Sequence, residues 1–235
     1  MKEEEKAVET LRKVKKILDK HNINYWLDEG TLLGAVREKK LIEWDHDIDL
    51  AIWYKDAEKI TPLYDDMEKK GVEVCYFEGK KHIKLIEKGN EIDINLYHLK
   101  DGQATRMWHV ANNIGRVLDY LIWTIYLKNP ENRKFSIPSF ITKIFVKTSN
   151  AMPNQVNKKI LNMLYKKYEK KGCKILRMAV PSHFFKEFKT LKFYDMDFKV
   201  PKKTEEYLEY RYGKDWKVPK KDYVFHRDDR SVIRK

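Results

Sequence analysis

The chain has 235 residues, of which 42% are hydrophobic and 13% aromatic, so it can bury the core of one large domain. Its formal net charge of +13 indicates an anionic partner: a nucleotide, a phosphorylated glycan, nucleic acid or an anionic membrane. The two cysteines, Cys75 and Cys173, lack metal-knuckle spacing, and no run of about 18 apolar residues occurs. We therefore expect a reduced, cytoplasmic protein with neither a signal peptide nor a membrane-spanning segment.

The first elements are a helix, a strand and a turn. Apolar residues at helical spacing predict an amphipathic helix over 3–21, and aromatic residues predict a short strand over 23–27. Gly30 and Thr31 then form a turn, with Thr31 as the cap of a helix that runs to Arg37. The free backbone N–H groups at the start of such a helix would suit a phosphate group.

The next feature is a strand predicted over 47–53 that carries two carboxylates. Asp47 and Asp49 are two residues apart, so both project from one face, while the residues of the other face are apolar. Two carboxylates on one face repel each other, and Mg²⁺ or Mn²⁺ between them would relieve that repulsion. A solvated strand edge is the alternative, but the apolar opposite face and the upstream glycine turn favour a metal site.

Beyond residue 55 we predict one helix and then three strands, over 56–70, 72–77, 82–86 and 91–96. This order predicts an α/β or α+β fold with a mixed sheet flanked by helices. Asp93 lies on the last strand, which a hairpin and a turn separate from the strand that carries Asp47. We therefore expect Asp93 to be a third carboxylate of the same site rather than an exposed strand residue.

After Asp101-Gly102 the sequence becomes helical and basic, with helices predicted over 107–128, 135–146 and 155–171. This segment either packs on the core as a helical insertion or lies on an anionic membrane. A hairpin over 193–201 and a helix over 204–212, capped by Thr204, follow. The predicted domains are a catalytic core, a helical insertion and a C-terminal segment that completes the catalytic domain, over 1–102, 103–180 and 181–235.

The stretch Gly30-Thr31-Leu32-Leu33-Gly34-Ala35-Val36-Arg37, followed by Trp44-Asp45-His46-Asp47-Ile48-Asp49, closely resembles the signature of the LicD family. This family includes bacterial phosphocholine transferases and fukutin-type proteins, and it belongs to the nucleotidyltransferase superfamily. Sites of that superfamily resemble a Gly-Ser/Thr turn, an Asp-x-Asp pair and a third Asp on a later strand, which Asp93 matches. The segment from Val200 to Pro219 looks like the family's closing segment, whereas 103–180 is loosely matched.

The resemblance implies a nucleotidyltransferase-like fold and a metal-dependent phosphotransferase. Such an enzyme moves phosphocholine or a polyol phosphate from a CDP-activated donor to a hydroxyl of a cell-surface glycan, whose precursor is anionic or lipid-linked. The implied catalytic and metal-binding residues, with Mg²⁺ or Mn²⁺, are Asp47, Asp49 and Asp93. Asp93 could instead accept the proton of the acceptor hydroxyl. The implied substrate- or phosphate-binding residues are Gly30, Thr31, Gly34, Arg37, Asp45 and His46.

Two of these residues have a second explanation. His46 stands where the family usually has an Asp, and it lies on the face opposite the carboxylate pair, so the pair should still bind metal. Its imidazole would meet the substrate or have no role. The guanidinium of Arg37 would hold a phosphate or pair with Asp45 or Glu38.

Four neighbouring residues are weaker candidates for the site. Asp28 and Glu29 flank the turn, and Trp26 and Trp44 could stack on a base or enclose a quaternary ammonium group. We expect both tryptophans to be core residues. A lipid-linked precursor would give the basic insertion a reason to contact the inner face of a membrane peripherally.

Two other functions remain open. A different nucleotidyltransferase, which transfers NMP from an NTP to a protein, RNA or small molecule, would use the same three carboxylates. A non-catalytic nucleic-acid-binding protein would use the +13 charge. The presence of all three carboxylates disfavours that second alternative.

Overall fold

The structure is a computed structural model that describes residues 3–75, 82–127, 144, 147–149 and 151–234. The chain divides into two compact units, one formed by Met1–Trp108 with Arg177–Lys235 and the other by His109–Leu176. The helical insertion that we predicted over 103–180 therefore overlaps the second unit, and its separate role stays a prediction. No helix among the described residues is both long and apolar enough to cross a membrane.

The elements up to residue 100 are α1 Glu3–Lys20, β1 Tyr25–Leu27, α2 Glu29–Arg37, β2 Asp47–Trp53, α3 Tyr64–Lys69, β3 Glu73–Cys75, β4 His82–Glu87 and β5 Asn90–Lys100. Those that follow are β6 Gln103–Ala111, α4 Asn113–Leu127, α5 Asn154–Lys167, β7 Cys173–Pro181, β8 Phe188–Phe193, β9 Met196–Pro201, α6 Thr204–Tyr212, α7 Phe225–Asp228 and β10 Val232–Ile233.

A mixed sheet organises the first unit. Strands β1, β2, β5, β4 and β3 lie side by side in that order, and only the β2–β5 pair among them is parallel. The end of β5 turns at Asp101-Gly102 and pairs with the start of β6, and β8 and β9 form a separate hairpin. The predicted α/β class with a mixed sheet flanked by helices is confirmed.

The core forms where apolar faces of helix and sheet meet. The predicted stripe of α1 is buried, and so are the apolar residues of β2, whose neighbours on both sides cover it. The buried residues of these two elements are Val8, Leu11, Val14, Ile17, Leu18, Ile48, Leu50, Ala51 and Ile52. This burial holds the backbone of the interior strand β2 in place. It therefore also fixes the positions from which the side chains of Asp47 and Asp49 project.

Two predicted helices are wrong in part. Residues 56–63, predicted as the start of a regular helix, belong to two 3-10 segments, Tyr54–Lys59 and Thr61–Leu63, with Ile60 between them, and α3 begins only at Tyr64. Pro62 lies in the second segment and lacks the backbone N–H that an α-helix needs there. Residues 107–111, also predicted as helix, belong to β6, since the Asp101-Gly102 turn returns the chain along β5.

Both predicted threonine caps are wrong. Helix α2 begins at Glu29, so Thr31 lies inside its first turn, and the left-handed backbone belongs to Glu29 with φ of 44° rather than to Gly30. Lys203 precedes α6, while the Thr204 hydroxyl donates a hydrogen bond to the Pro201 carbonyl at 2.5 Å. Near the C-terminus, β10 pairs with β7.

Among its described residues, the second unit is mainly helical. Helices α4 and α5 pack together, and α5 continues into a π-helical turn over Tyr168–Gly172. A Cβ at Gly115 would lie 1.8 Å from the Gly172 carbonyl oxygen, so the close approach of α4 to this turn requires glycine. The helix predicted over 135–146 lies almost wholly outside the described residues.

Candidate active site

The parallel pairing of β2 with β5 brings the three predicted carboxylates together. Asp49 stands in register with Asp93, and Asp47 with Glu91. Asp47 and Asp49 project from the same face, as the alternation predicted. Asp49 and Asp93 are buried and Asp47 is half-buried, so this group lies at the inner end of a concave surface.

Three hydrogen bonds fix Asp49 against α2 and β5. The Asp28 N–H donates to the Asp49 carbonyl at 3.1 Å, and the Asp49 N–H donates to the Thr31 hydroxyl oxygen at 2.8 Å. The Asn95 side-chain amide donates to the Asp49 carboxylate at 3.2 Å. Thr31 therefore positions β2, while the phosphate contact that we expected of it stays a prediction.

Asp45 reaches the same group from the loop before β2. A Cβ at Gly30 would lie 2.0 Å from the Asp45 Oδ2, so the carboxylate can occupy this position only because residue 30 is glycine. Asp45 and Asp47 share a side-chain hydrogen bond. We call Asp45, Asp47 and Asp49 the open cluster, because all three line one cavity.

The open cluster concentrates negative charge, with Asp49 buried, Asp47 half-buried and Asp45 exposed. Partial desolvation by the surrounding protein, followed by repulsion from Asp47, raises the pKa of Asp45 to about 7. Burial and the nearby Asp93 raise the pKa of Asp47 to about 6, and burial with Asp47 raises the pKa of Asp49. In the described part of the chain, no lysine or arginine forms an ion pair with these three side chains.

Asp93 has a different environment, because a lysine lies beside it. The Lys84 ammonium is 3.0 Å from Asp93 Oδ1 and 2.6 Å from Glu91 Oε2. Burial lowers the pKa of Lys84, but Asp93 and Glu91 more than offset this and raise it above its usual value. Asp93 is thus partly neutralised, unlike the open cluster.

A second group of carboxylates, which we call the paired cluster, consists of Asp28, Glu29 and Asp229. Arg211 is fully buried and bonds to all three, at 3.4, 2.7 and 2.6 Å. Arg106 also donates to Glu29 at 2.8 Å. The hydroxyls of Tyr97 and Tyr207 donate to Asp28 at 2.8 and 2.6 Å. These contacts place Asp28 and Glu29 in the scaffold of the first unit.

The open cluster forms one end of a cavity of about 330 Å³. Its wall is aromatic and cationic, and it comes mostly from the C-terminal segment: Trp44, Trp108, Tyr212, Trp216, Lys220, Lys221, Tyr223 and Phe225. The Lys221 ammonium lies 5.1 Å from the centre of the Trp44 ring. Arg37 also lines the cavity, but its guanidinium donates to Glu38 at 2.6 Å and to the Trp216 carbonyl at 3.3 Å.

A second cavity, of about 500 Å³, meets the first at Gly30, Ile42, Asp45 and Asp47. The remaining lining is largely polar and acidic, and it includes Glu3, Glu4, Glu43, Glu91, Lys40 and His46. Asp45 and Asp47 therefore face two cavities of different chemistry.

The other predicted residues have structural positions. A Cβ at Gly34 would lie 2.6 Å from the Lys40 carbonyl oxygen, so this glycine lets the following loop pack on α2. Trp26 is fully buried, which confirms it as a core residue. Trp44 is half-buried at the first cavity and only partly in the core.

Sequence reasoning missed the cations that surround these carboxylates. The position of Lys84 near Asp93 could have been inferred in part, because their predicted strands follow each other along the chain. Arg106 lies just before the helix predicted over 107–128, and no role was predicted for it. Arg211 contacts Glu29 from 182 residues away, and no local pattern marks such a contact.

The open cluster provides clustered oxygen ligands for a divalent cation, but it does not provide a complete set of protein ligands. These oxygen ligands form no ion pair with a lysine or arginine of the described residues, although the charge of Lys84 acts on Asp47 from a longer distance. No three His, Cys, Asp or Glu side chains in this part of the chain form a complete metal site by themselves. Mg²⁺ usually binds one or two carboxylates and takes its remaining ligands from water and substrate phosphates, which this arrangement allows.

Comparison with known proteins connects this geometry to a family. Residues 22–136 match the family model described as LicD/FKTN/FKRP, nucleotidyltransferase domain. Over 60 residues the chain is 40% identical to an uncharacterized protein of Rickettsia prowazekii (strain Madrid E). This aligned stretch covers 26% of this chain and 23% of that protein. Over 49 residues it is 46% identical to the ribitol 5-phosphate transferase FKRP of Homo sapiens, or 21% of this chain and 10% of that protein.

The match thus spans about a quarter or less of the length of these curated relatives. Among solved structures, the lincomycin-bound lincosamide antibiotic adenylyltransferase LnuA aligns over 83% of this chain and 80% of its own, with 13% identity and a TM-score of 0.39.

Proposed function

The chain carries a LicD/FKTN/FKRP nucleotidyltransferase domain within residues 22–136, and from this premise we propose that it is a metal-dependent phosphotransferase. It would move a phospho-alcohol, phosphocholine or a polyol phosphate, from a CDP-activated donor to a hydroxyl of a cell-surface glycan or its lipid-linked precursor. The observation that carries the proposal is the open cluster: carboxylates that form no ion pair with a lysine or arginine of the described residues, beside a cavity with cationic and aromatic walls.

Asp47 and Asp49 are the proposed ligands of Mg²⁺ or Mn²⁺. Both come from the start of an interior strand, so their backbone is held by ladder bonds and by Thr31. A bound divalent cation would neutralise charge on the donor's diphosphate as the leaving nucleotide departs. Asp45 lies next to Asp47 and would bind substrate or help to hold the ion.

The first cavity is the proposed donor site. Lys220, Lys221 and Arg37 line it and can meet phosphate oxygens, while Trp44 and Trp216 offer flat faces on which a cytosine ring can stack. Aromatic faces would equally suit a quaternary ammonium such as choline. Arg37 already bonds to Glu38, so we expect the two lysines to provide most of the phosphate contact.

The second cavity is the proposed entrance of the acceptor hydroxyl. It shares Asp45 and Asp47 with the first cavity, so a hydroxyl there could reach the same carboxylates as the bound donor. Its carboxylates would repel an anionic group. The hydroxyl-bearing part of the acceptor is therefore expected to be neutral, even where the whole glycan is anionic.

Asp93 fits two roles, which one variant separates. It can complete the metal site, or it can accept the proton of the acceptor hydroxyl, as a carboxylate in register with Asp49. If Asp93 is a ligand, Asp93→Asn should weaken Mn²⁺ binding. If it is a base, Mn²⁺ binding should persist while transfer is lost.

The proposal is tested by donor screening. The purified full chain is incubated with Mg²⁺ and CDP-choline, CDP-ribitol, CDP-glycerol or each NTP, and release of CMP or pyrophosphate is measured with a glycan acceptor. Release of CMP from one CDP-alcohol, abolished by EDTA and by Asp47→Asn with Asp49→Asn, is the expected result. Turnover without a divalent cation contradicts the proposal.

A second candidate function rests on the same site. The matching family model describes a nucleotidyltransferase domain, and the open cluster would equally serve transfer of NMP from an NTP. The donor screen decides between the two: release of pyrophosphate from an NTP, with no CMP from any CDP-alcohol, would establish the second function instead of the first.

A further inference from the structure

The net positive charge of the chain is concentrated in the second unit, because this unit contains few acidic residues. Residues 109–176 hold 13 of the 49 lysines and arginines but only three of the 36 aspartates and glutamates. This unit therefore carries ten of the thirteen net positive charges, while the much larger first unit is close to neutral. An anionic partner that is attracted by net charge alone will therefore be attracted to the second unit rather than to the first unit, which holds the proposed catalytic site.

The exposed face of α5 shows how that charge is presented. Val156, Lys159, Met163 and Lys167 are spaced by three or four residues, which places them on one face of the helix, with Lys166 at its margin. All five are exposed, and Met163 and Val156 expose 62% and 41% of their surface. Further exposed lysines continue beyond the helix at Lys170, Lys171 and Lys174.

Helix α4 of the same unit adds exposed apolar surface. Ile114 and Val117 are three residues apart, and both are exposed on a helix whose other side is buried. Exposed aliphatic and thioether side chains among lysines suit the boundary between lipid headgroups and acyl chains, where both kinds of group are stabilised. A nucleic-acid backbone would meet the lysines but would not bury Met163 or Val156.

We propose that the exposed face of α5, formed by Val156, Lys159, Met163, Lys166 and Lys167, docks the chain peripherally on a bilayer that contains anionic lipid. The lysines attract the headgroups, and Met163 and Val156 enter the interface. This docking is independent of the transfer reaction, so its failure leaves the proposed function untouched.

The test is co-sedimentation of the full chain with sucrose-loaded vesicles of phosphatidylcholine, with or without about 30% phosphatidylglycerol, at about 150 mM NaCl. We expect binding to the anionic vesicles and little to the neutral ones. Lys159→Gln, Lys166→Gln and Lys167→Gln together should reduce the partition coefficient about 100-fold, because each lysine near a charged surface contributes about fivefold. The matched control, Lys186→Gln, Lys189→Gln and Lys192→Gln, makes the same charge change at exposed lysines of the first unit and should bind as the parent does.

A second variant separates lipid from nucleic acid. Val156→Ser with Met163→Ser keeps every charge and should weaken vesicle binding about tenfold, since apolar burial is lost. Thermal unfolding of each variant shows whether it is folded. The proposal is overturned if the parent does not bind anionic vesicles, or if the α5 lysine variant binds them as well as its control. Retention of a short RNA that the lysine variant loses and the serine variant keeps, without vesicle binding, would identify nucleic acid as the partner instead.

Discussion

The paired and open clusters differ in whether arginine side chains form ion pairs with their carboxylates. Asp28, Glu29 and Asp229 of the paired cluster are bound by buried Arg211, and Arg106 adds a second guanidinium. In the open cluster, hydrogen-bond donors come from the amide of Asn95, from the backbone of His46 and from a neighbouring carboxyl group. Charge that the protein neutralises by itself stabilises the fold, whereas charge left without a counter-ion is available to a ligand.

This difference decides which acidic residues near α2 belong to the candidate site. Glu29 and Asp49 both line the first cavity and lie close in the fold, so position alone does not separate them. Their partners do, because Glu29 accepts hydrogen bonds from two arginines while burial and other carboxylates act on Asp49. Substitutions in the two clusters should therefore affect different properties.

The largest effect is expected in the open cluster. Asp47→Asn with Asp49→Asn should lower transfer by at least about 1,000-fold, because the metal's contribution of several kcal/mol to the barrier is lost. In EDTA the same variant should unfold at a temperature equal to or higher than the parent's, since repulsion between buried carboxylates is removed. Loss of activity together with a large fall in the melting temperature would place these residues in the scaffold instead.

The paired cluster should show the opposite behaviour. Arg211→Ala should lower the free energy of unfolding by about 3–5 kcal/mol, because Asp28 and Asp229 would remain buried without their counter-charge and Glu29 would keep only Arg106. Denaturant titration followed by circular dichroism measures this. Arg227→Ala, at an exposed arginine paired with Asp228, is the control and should leave stability unchanged.

Gly30→Ala tests the approach of Asp45 to the site. The new Cβ would lie 2.0 Å from Asp45 Oδ2, so the carboxylate must move and transfer should fall about 10- to 100-fold. Steady-state rates with the donor found by screening measure the loss. In an Asp45→Ala background the same substitution should have little further effect, because the clashing atoms are absent. An equal loss in both backgrounds would show that Gly30 acts through another contact.

The smallest effect is expected for Thr31, whose hydroxyl connects α2 to β2. Thr31→Val leaves the buried Asp49 N–H without its acceptor at 2.8 Å and should cost about 1–2 kcal/mol of stability. Thr31→Ser keeps the oxygen and should stay close to the parent in chemical denaturation. If both variants lose the same stability, the methyl group rather than the hydrogen bond is responsible.

Local alternation was enough to predict much of the fold and the centre of the site. The period of two placed Asp47 and Asp49 on one face of β2, and the same pattern placed Asp93 on β5, which the structure brings into register with Asp49. Such inferences succeed because burial fixes which face of an interior strand is apolar.

Long-range partners were not accessible in the same way. The arginine that holds Glu29 comes from α6, and the cavity wall of Trp216, Lys220 and Lys221 comes from the same distant segment. A single sequence contains no periodicity that joins residues so far apart. The segment that follows Arg106 was predicted as helix because it is strongly apolar, whereas the turn at Asp101-Gly102 makes residues 107–111 part of β6.

The most direct test of the account is calorimetric titration of Mn²⁺ into the purified full chain, with and without CDP. We predict one ion per chain, bound more tightly when CDP is present, and no binding by the Asp47→Asn, Asp49→Asn variant. Glu205→Gln with Glu206→Gln, at exposed acids of α6, should bind Mn²⁺ as the parent does. Undiminished binding by the Asp47→Asn, Asp49→Asn variant would contradict the assignment of the open cluster as the metal site.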